Sequence, residues 1–416
     1  MTLFQISAVL LCFAAFSGYI NHRFIKLPDA IGQMACALVV SLVAFLLHYI
    51  GWIDTSAVKN FLEQINFTDL LLHGMLSFLL FAGALHINMT DLRKVKWSVG
   101  MLSTFGVLLA TFIIGTLIWY VSAITKLPLT YPYALLFGAL IAPTDPIAVL
   151  SILKKSNVSK KMYLKIGAES LFNDGIAIVL FITILETALS GQAVTPMAVT
   201  TLLIREAIGG ILLGGILGWG VYRLLRSLND YKVEVLLTLA VVTGGYAIAE
   251  YLHVSAPIFT VTAGLIIGNH RIEKGPIKET HKRLCQFWEL IDETLNAILF
   301  VLIGLKVFTL TINIDHLFLG CMAIIIVLLG RWISVALPIF LVRMKRKVEH
   351  GTIRILSWGG LRGGLSIAMA LSLPHSPEKS IIVPVTYIVV LFSILVQGLT
   401  FPYAIKAITG KKKAHA

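Results

Sequence analysis

Residues 168–181 read AESLFNDGIAIVLF, a stretch apolar enough to cross a bilayer that carries Glu169, Ser170, Asn173 and Asp174 in close succession. An ionisable side chain at the centre of a membrane helix costs about 2.5–3.5 kcal/mol on insertion scales. Acids placed there must hold something. On a helix Ser170 and Asp174 are four apart and share a face, while Glu169 and Asn173 share a neighbouring one. Glu169 and Asp174 are five apart, about 140° round the axis, so they do not serve one ligand directly.

The rest of the chain says what kind of membrane protein this is. Of its 416 residues 57% are hydrophobic and 13% charged, with a mean hydropathy of +0.88. Soluble chains are about a quarter charged, so the composition implies a polytopic, all-α membrane protein. Windows of about 20 apolar residues predict spans near 3–21, 29–52, 66–88, 97–124, 131–152, 166–189, 199–222, 233–252, 255–269, 287–309, 315–342, 352–373 and 381–405. The count is about thirteen, the first being a retained helix and not a signal peptide. Alternate connections hold 26 basic residues against 3 in the others. The positive-inside rule then puts the N-terminus outside and the C-terminus in the cytoplasm, in the cell (inner) membrane.

The net charge of +13 is accounted for by that bias, and no nucleic-acid site is needed. The division expected is a transmembrane domain over 1–408 and a short basic cytoplasmic tail over 409–416. The longest predicted connection, 270–286, is too short for a nucleotide-binding domain, and no glycine-rich phosphate loop occurs. No cofactor is therefore expected. The run GGILLGGILGWG at 209–220 reads as close helix packing, and Cys12, Cys36, Cys285 and Cys321 as small hydrophobes. No HExxH motif or Ser-His pairing suggests a membrane enzyme, and an anion carrier would centre on arginines. Transport driven by ion gradients is the leading expectation.

A second polar island lies on the fifth span, where APTDPIAVL at 142–150 sets Thr144 and Asp145 between Pro143 and Pro146. Each proline removes a donor and disfavours helix before it, so the span should unwind there. The freed carbonyls need a partner, and a cation is a natural one. Asp174 is then the mate of Asp145, with Thr144, Ser170 and Asn173 adding neutral groups. Glu169 should meet a buried arginine, either Arg331 on the eleventh span or Arg362 on the twelfth. Gly359, Gly360, Gly363 and Gly364 around Arg362 suggest a second interrupted helix, oriented opposite to the first as an inverted repeat requires. Other polar groups take blander readings: His73 and His86 as packed or interfacial, Arg205 with Glu206 as snorkelling or paired, Glu250 as a rim group. Glu289, Asp292 and Glu293 are expected to pair with nearby bases, with lining of a funnel as the rival reading.

Four ordered motifs carry a family resemblance: APTDPIAVL, GAESLFNDGIAIVLF at 167–181, IDETLNAILFVLIGL at 291–305 and GGLRGGLSIAMALSLP at 359–374. Together with AEYLHVSAPIFTVTAGLIIGN at 249–269 they resemble the sodium/proton exchangers of the bacterial NhaP type, kin to the animal exchangers. The resemblance implies a homodimer of inverted-repeat fold with two unwound, crossing helices. It implies Na⁺, with Li⁺, exchanged for H⁺, and Asp174 as the essential carboxylate with Asp145, Thr144 and Ser170 as companions holding Na⁺. Asn173 stands where electrogenic relatives have a second aspartate, which implies one cation per proton. Glu169 would pair with Arg331, and Arg362 would support the core. Some relatives carry an acid within the third span, and here none lies between Asp69 and Asp91. A K⁺/H⁺ antiporter of the same fold is the main alternative; a passive cation channel is the lesser one.

Overall fold

The computed structural model describes residues 3–50, 69–125, 127–145, 149–150, 152–153, 158–189, 196–228, 230–269, 277–345, 348–349 and 351–409. Among the described residues every regular element is helical. Eight helices are long and apolar enough to cross a membrane, and three shorter apolar ones accompany them. In a bilayer this is what backbone hydrogen bonding demands, because a helix satisfies its own polar groups.

In chain order the helices are α1 (Leu3–Ile20), α2 (Asp29–Tyr49), α3 (Leu76–Leu85) and α4 (Met89–Ile124). Then come α5 (Tyr131–Ile141), α6 (Lys160–Leu189), α7 (Pro196–Arg226) and α8 (Tyr231–Tyr251). They are followed by α9 (Ala256–Gly268), α10 (Ile277–Lys306), α11 (Ile314–Lys345), α12 (Thr352–Trp358), α13 (Gly364–Ser372) and α14 (Pro377–Ile408).

Several helices start earlier than hydropathy predicts. At α4 the cause is local: Asn88 caps the helix, its side-chain oxygen accepting from Thr90 N at 2.9 Å and Asp91 N at 3.3 Å. The first turns are polar, so a hydropathy window misses them although the helix is capped and continuous. Asp91 there pairs with Lys94 at 2.6 Å and Lys160 at 2.8 Å, tying the start of α4 to the start of α6.

Helix α4 packs on α5 and α11, α5 on α6 and α13, and α11 and α13 on α14. Their interior belongs to the larger apolar cluster, with Phe137, Leu140, Phe181, Ile303 and Ile367. A smaller cluster around Phe81, Val242, Phe259 and Trp288 fills the space among α3, α8, α9 and α10. Helix α7 approaches α9 through glycines. A Cβ at Gly210 would meet Ser255 O at 2.6 Å, and one at Gly214 would meet Phe259 O at 2.6 Å. That is the close packing read from GGILLGGILGWG.

Two apolar helices are interrupted. Helix α5 stops at Ile141, and residues 143–145 are not helical. Pro146, the second of the flanking prolines, lies outside the described residues, as do Lys154, Lys155, the side chain of His73 and residues 410–416 of the predicted tail. The other interruption falls at the glycines, where α12 ends at Trp358 and α13 begins at Gly364.

Candidate ion site

Helix α6 carries three of its four polar residues, Ser170, Asn173 and Asp174, to the break after α5. Thr144 Oγ1 lies 3.0 Å from Ser170 Oγ and accepts from Asn173 Nδ2 at 2.9 Å. Asn173 Oδ1 in turn faces Thr144 N at 3.4 Å. Asn173 thus uses both ends of its amide on one residue, and an aspartate could not donate to the hydroxyl. Thr144, Ser170 and Asn173 are each at most 2% exposed.

The two interruptions meet one another. Asp145 N donates to Leu361 O at 2.8 Å, and Gly363 lies so close that a Cβ there would overlap the Asp145 carboxylate. Arg362 Nη1 donates to Ala142 O at 3.2 Å and Pro143 O at 3.1 Å. This changes one expectation. The carbonyls freed by the break are satisfied by a guanidinium from the facing interruption, so they need no mobile cation. One guanidinium nitrogen, Nη1, carries two hydrogens and so serves both successive carbonyls while its fixed positive charge stays in place.

Glu169 points the other way round α6, and of the two buried arginines it is Arg331 that it meets. Arg331 Nη1 is 2.8 Å from Glu169 Oε1 and Nη2 donates to Oε2 at 3.1 Å. Arg331 Nη2 also lies 3.3 Å from Leu356 O, so the pair joins α6, α11 and α12. A Cβ at Gly360 would sit 2.6 Å from Arg331 Nε, so the break must be glycine there for the guanidinium to fit.

A cavity of about 560 Å³ reaches this junction. Thr144, Asp145 and Asp174 line it, whereas Ser170, Asn173, Glu169, Arg331 and Arg362 lie behind its wall. Asp174 is within electrostatic reach of both Asp145 and Glu169. The arrangement offers two carboxylates and a hydroxyl to one space, with Ser170 and Asn173 fixing the hydroxyl from behind. Such a set can hold a monovalent cation or a proton.

Sequence reasoning missed part of this cavity. Glu289, Asp292 and Glu293 line it, so funnel lining, the less favoured reading, describes their place. His86, Asp29 and Asn296 line it too. Helical spacing carried a signal for Asp292 and Asn296, which are four apart and share a face. Asp29 and His86 had none, because the turns that bring them there are tertiary features.

Interrupted helices that meet beside half-buried carboxylates, inside a multi-pass membrane protein that is helical throughout the described residues, define a class of secondary transporters. Residues 11–407 match the family described as sodium/hydrogen exchanger, transmembrane, and the chain belongs to it. It is 49% identical over 387 residues to the Na⁺/H⁺ antiporter NhaP of Pseudomonas aeruginosa, covering 92% of this chain and 91% of that one. To the Na⁺/H⁺ antiporter NhaH of Halobacillus dabanensis it is 34% identical over 397 residues, covering 92% and 93%. Its fold is similar to that of the sodium proton antiporter MjNhaP1 from Methanocaldococcus jannaschii at pH 8, with a TM-score of 0.75 over 99% of this chain and 100% of that one, at 20% identity.

Proposed function

We propose that this protein exchanges Na⁺, and also Li⁺, for H⁺ across the cell membrane, one cation per proton, and so contributes to pH and sodium homeostasis. Asp174 is the exchanging carboxylate, Asp145 and Thr144 complete the ion's surroundings, and Ser170 and Asn173 hold Thr144 in place. The observation that carries this reading is the convergence of Asp145, Asp174 and Thr144 on one cavity at the meeting of the two breaks. The antiporter relatives in Pseudomonas and Halobacillus favour sodium as the cation.

Coupling follows from competition. A carboxylate pair taken out of water without a counter-charge is costly, so the site crosses the membrane holding either a cation or a proton. Whichever is bound is carried as the protein alternates its access, and the two fluxes run opposite ways. Asn173, neutral beside Asp174, supports electroneutral exchange. Glu289, Tyr163, Asp29 and His86 line the cavity near predicted cytoplasmic helix ends, which supports an inward-facing state. The protein works as a homodimer in this reading, with residues 1–408 as the exchanger and no bound cofactor.

The test uses purified protein in liposomes with a trapped pH dye. After a proton gradient is imposed, Na⁺, Li⁺, K⁺ or choline is added, with and without a clamped membrane potential. Dye recovery with Na⁺ and Li⁺, independent of potential, is expected. Recovery mainly with K⁺ would reassign the cation, and potential-driven cation flux without proton movement would indicate a channel.

A further inference from the structure

The cavity leading to Asp174 is more anionic than one transported cation requires. Asp29, Asp145, Asp174, Glu289, Asp292 and Glu293 all line it, and among the described residues no lysine or arginine does. Asp145 and Asp174 stand where the two breaks meet, Asp29 and Glu289 near predicted cytoplasmic helix ends, and Asp292 on α10 faces the same space. Asp292 projects from the middle of α10, partly buried, with the carboxylates of Asp145, Glu289 and Glu293 within electrostatic reach.

One turn further along the same face stands Asn296, 4% exposed and lining the same cavity. Its Nδ2 donates to Asp292 O at 2.8 Å and to Asp292 Oδ1 at 3.0 Å. Those two bonds fix which end of the amide is nitrogen. They leave Oδ1 as the other end of the amide, and among the described residues this buried oxygen has no hydrogen-bond partner. A buried acceptor without a donor is costly, and a carboxylate held beside it makes donation by another acid no remedy unless a proton is spent. A cation satisfies both at once: it neutralises Asp292 and gives the Asn296 oxygen a ligand.

We infer that Asp292 and Asn296 form a second monovalent-cation site on α10, a waiting station between the cavity mouth and Asp174. Asp292 supplies the charge, Asn296 Oδ1 a neutral oxygen, and water the remaining ligands. The acids at the mouth concentrate cations, and the station holds one of them next to Asp145. Its occupancy stands apart from the exchange reading; its role as a waiting station rests on that reading.

The experiment is equilibrium binding of ²²Na⁺ to the purified full-length protein at alkaline pH. Asp174→Asn should retain one saturable site. Adding Asp292→Asn should abolish it, and adding Asn296→Leu should weaken it about fivefold, the effect of losing one neutral ligand. Absence of sodium binding by Asp174→Asn, or residual binding indifferent to Asp292→Asn, would overturn the proposal.

A second measurement needs no variant. Crystals of the unaltered protein soaked in Tl⁺ should show an anomalous peak against Asp292 and Asn296, separate from any at Asp174. Ordered water there without anomalous signal would overturn it. Failure of the exchange reading is seen separately, as no cation-driven proton movement by the unaltered protein in liposomes.

Discussion

In the proposed exchange Asp174 is the one group that holds the ion or the proton. Asp174→Asn keeps the size and removes the charge, so it should leave a folded protein that elutes as the parent does and exchanges nothing. Size-exclusion chromatography and liposome exchange on the same preparation check both halves, and robust exchange would remove Asp174 from the mechanism. Glu169 makes a contrasting prediction although it sits only five residues away. Its carboxylate is bidentate to Arg331 and 1% exposed. Breaking a buried pair by removing one charge costs on the order of 3–5 kcal/mol. Glu169→Gln should therefore lower the thermal unfolding temperature in detergent markedly, with transport falling because less protein is folded. An unchanged melting curve would show that Arg331 finds another partner.

At the scale of elements, the two interruptions act as one device. Arg362 from one holds Ala142 and Pro143 of the other, and Leu361 holds the Asp145 amide. Gly363 is the close-approach point, where any side chain would run into Asp145. Gly363→Ala should thus reduce the exchange rate at least about tenfold, since displacing Asp145 disturbs a site that needs sub-ångström placement. Gly244 on α8 is the control, because a Cβ there has open space around it. Gly244→Ala should leave exchange intact and gain up to about 1 kcal/mol of helix preference. Equal loss in both would argue for general damage over a specific contact.

These elements also show what could be read in advance. Pro143 and the glycines of GGLRGG announce their breaks, because both residue types act on the backbone wherever they stand. The four polar residues of AESLFNDGIAIVLF announce a site, because hydrocarbon tolerates no idle charge. What the chain withholds is the third dimension. From helix geometry alone two arginines were equivalent partners for Glu169; the resemblance pointed to Arg331, and packing pairs them. The satisfaction of Ala142 O and Pro143 O by Arg362 depends on a contact 219 and 220 residues away in sequence. The placing of Glu289 and Asp292 in a cavity likewise follows from how α10 lies against α3 and α13, which no spacing rule contains.

For the whole molecule, the buried ion pair, the crossed breaks and the acid-lined cavity serve one arrangement. The Glu169–Arg331 pair and the Arg362 tether spend their charges on holding backbone and helices together. Asp145 and Asp174 face the cavity from its inner wall. In the proposed exchange a cation and a proton contend for that pair. The most direct test is the half-saturating Na⁺ concentration of ²²Na⁺ uptake by the unaltered protein in liposomes, measured over a series of pH values equal on both sides. Competition for one proton-binding site predicts that it rises as pH falls, approaching about tenfold per pH unit on the acid side. A half-saturating concentration that stays constant while only the maximal rate changes would contradict competition and place proton control elsewhere in the molecule.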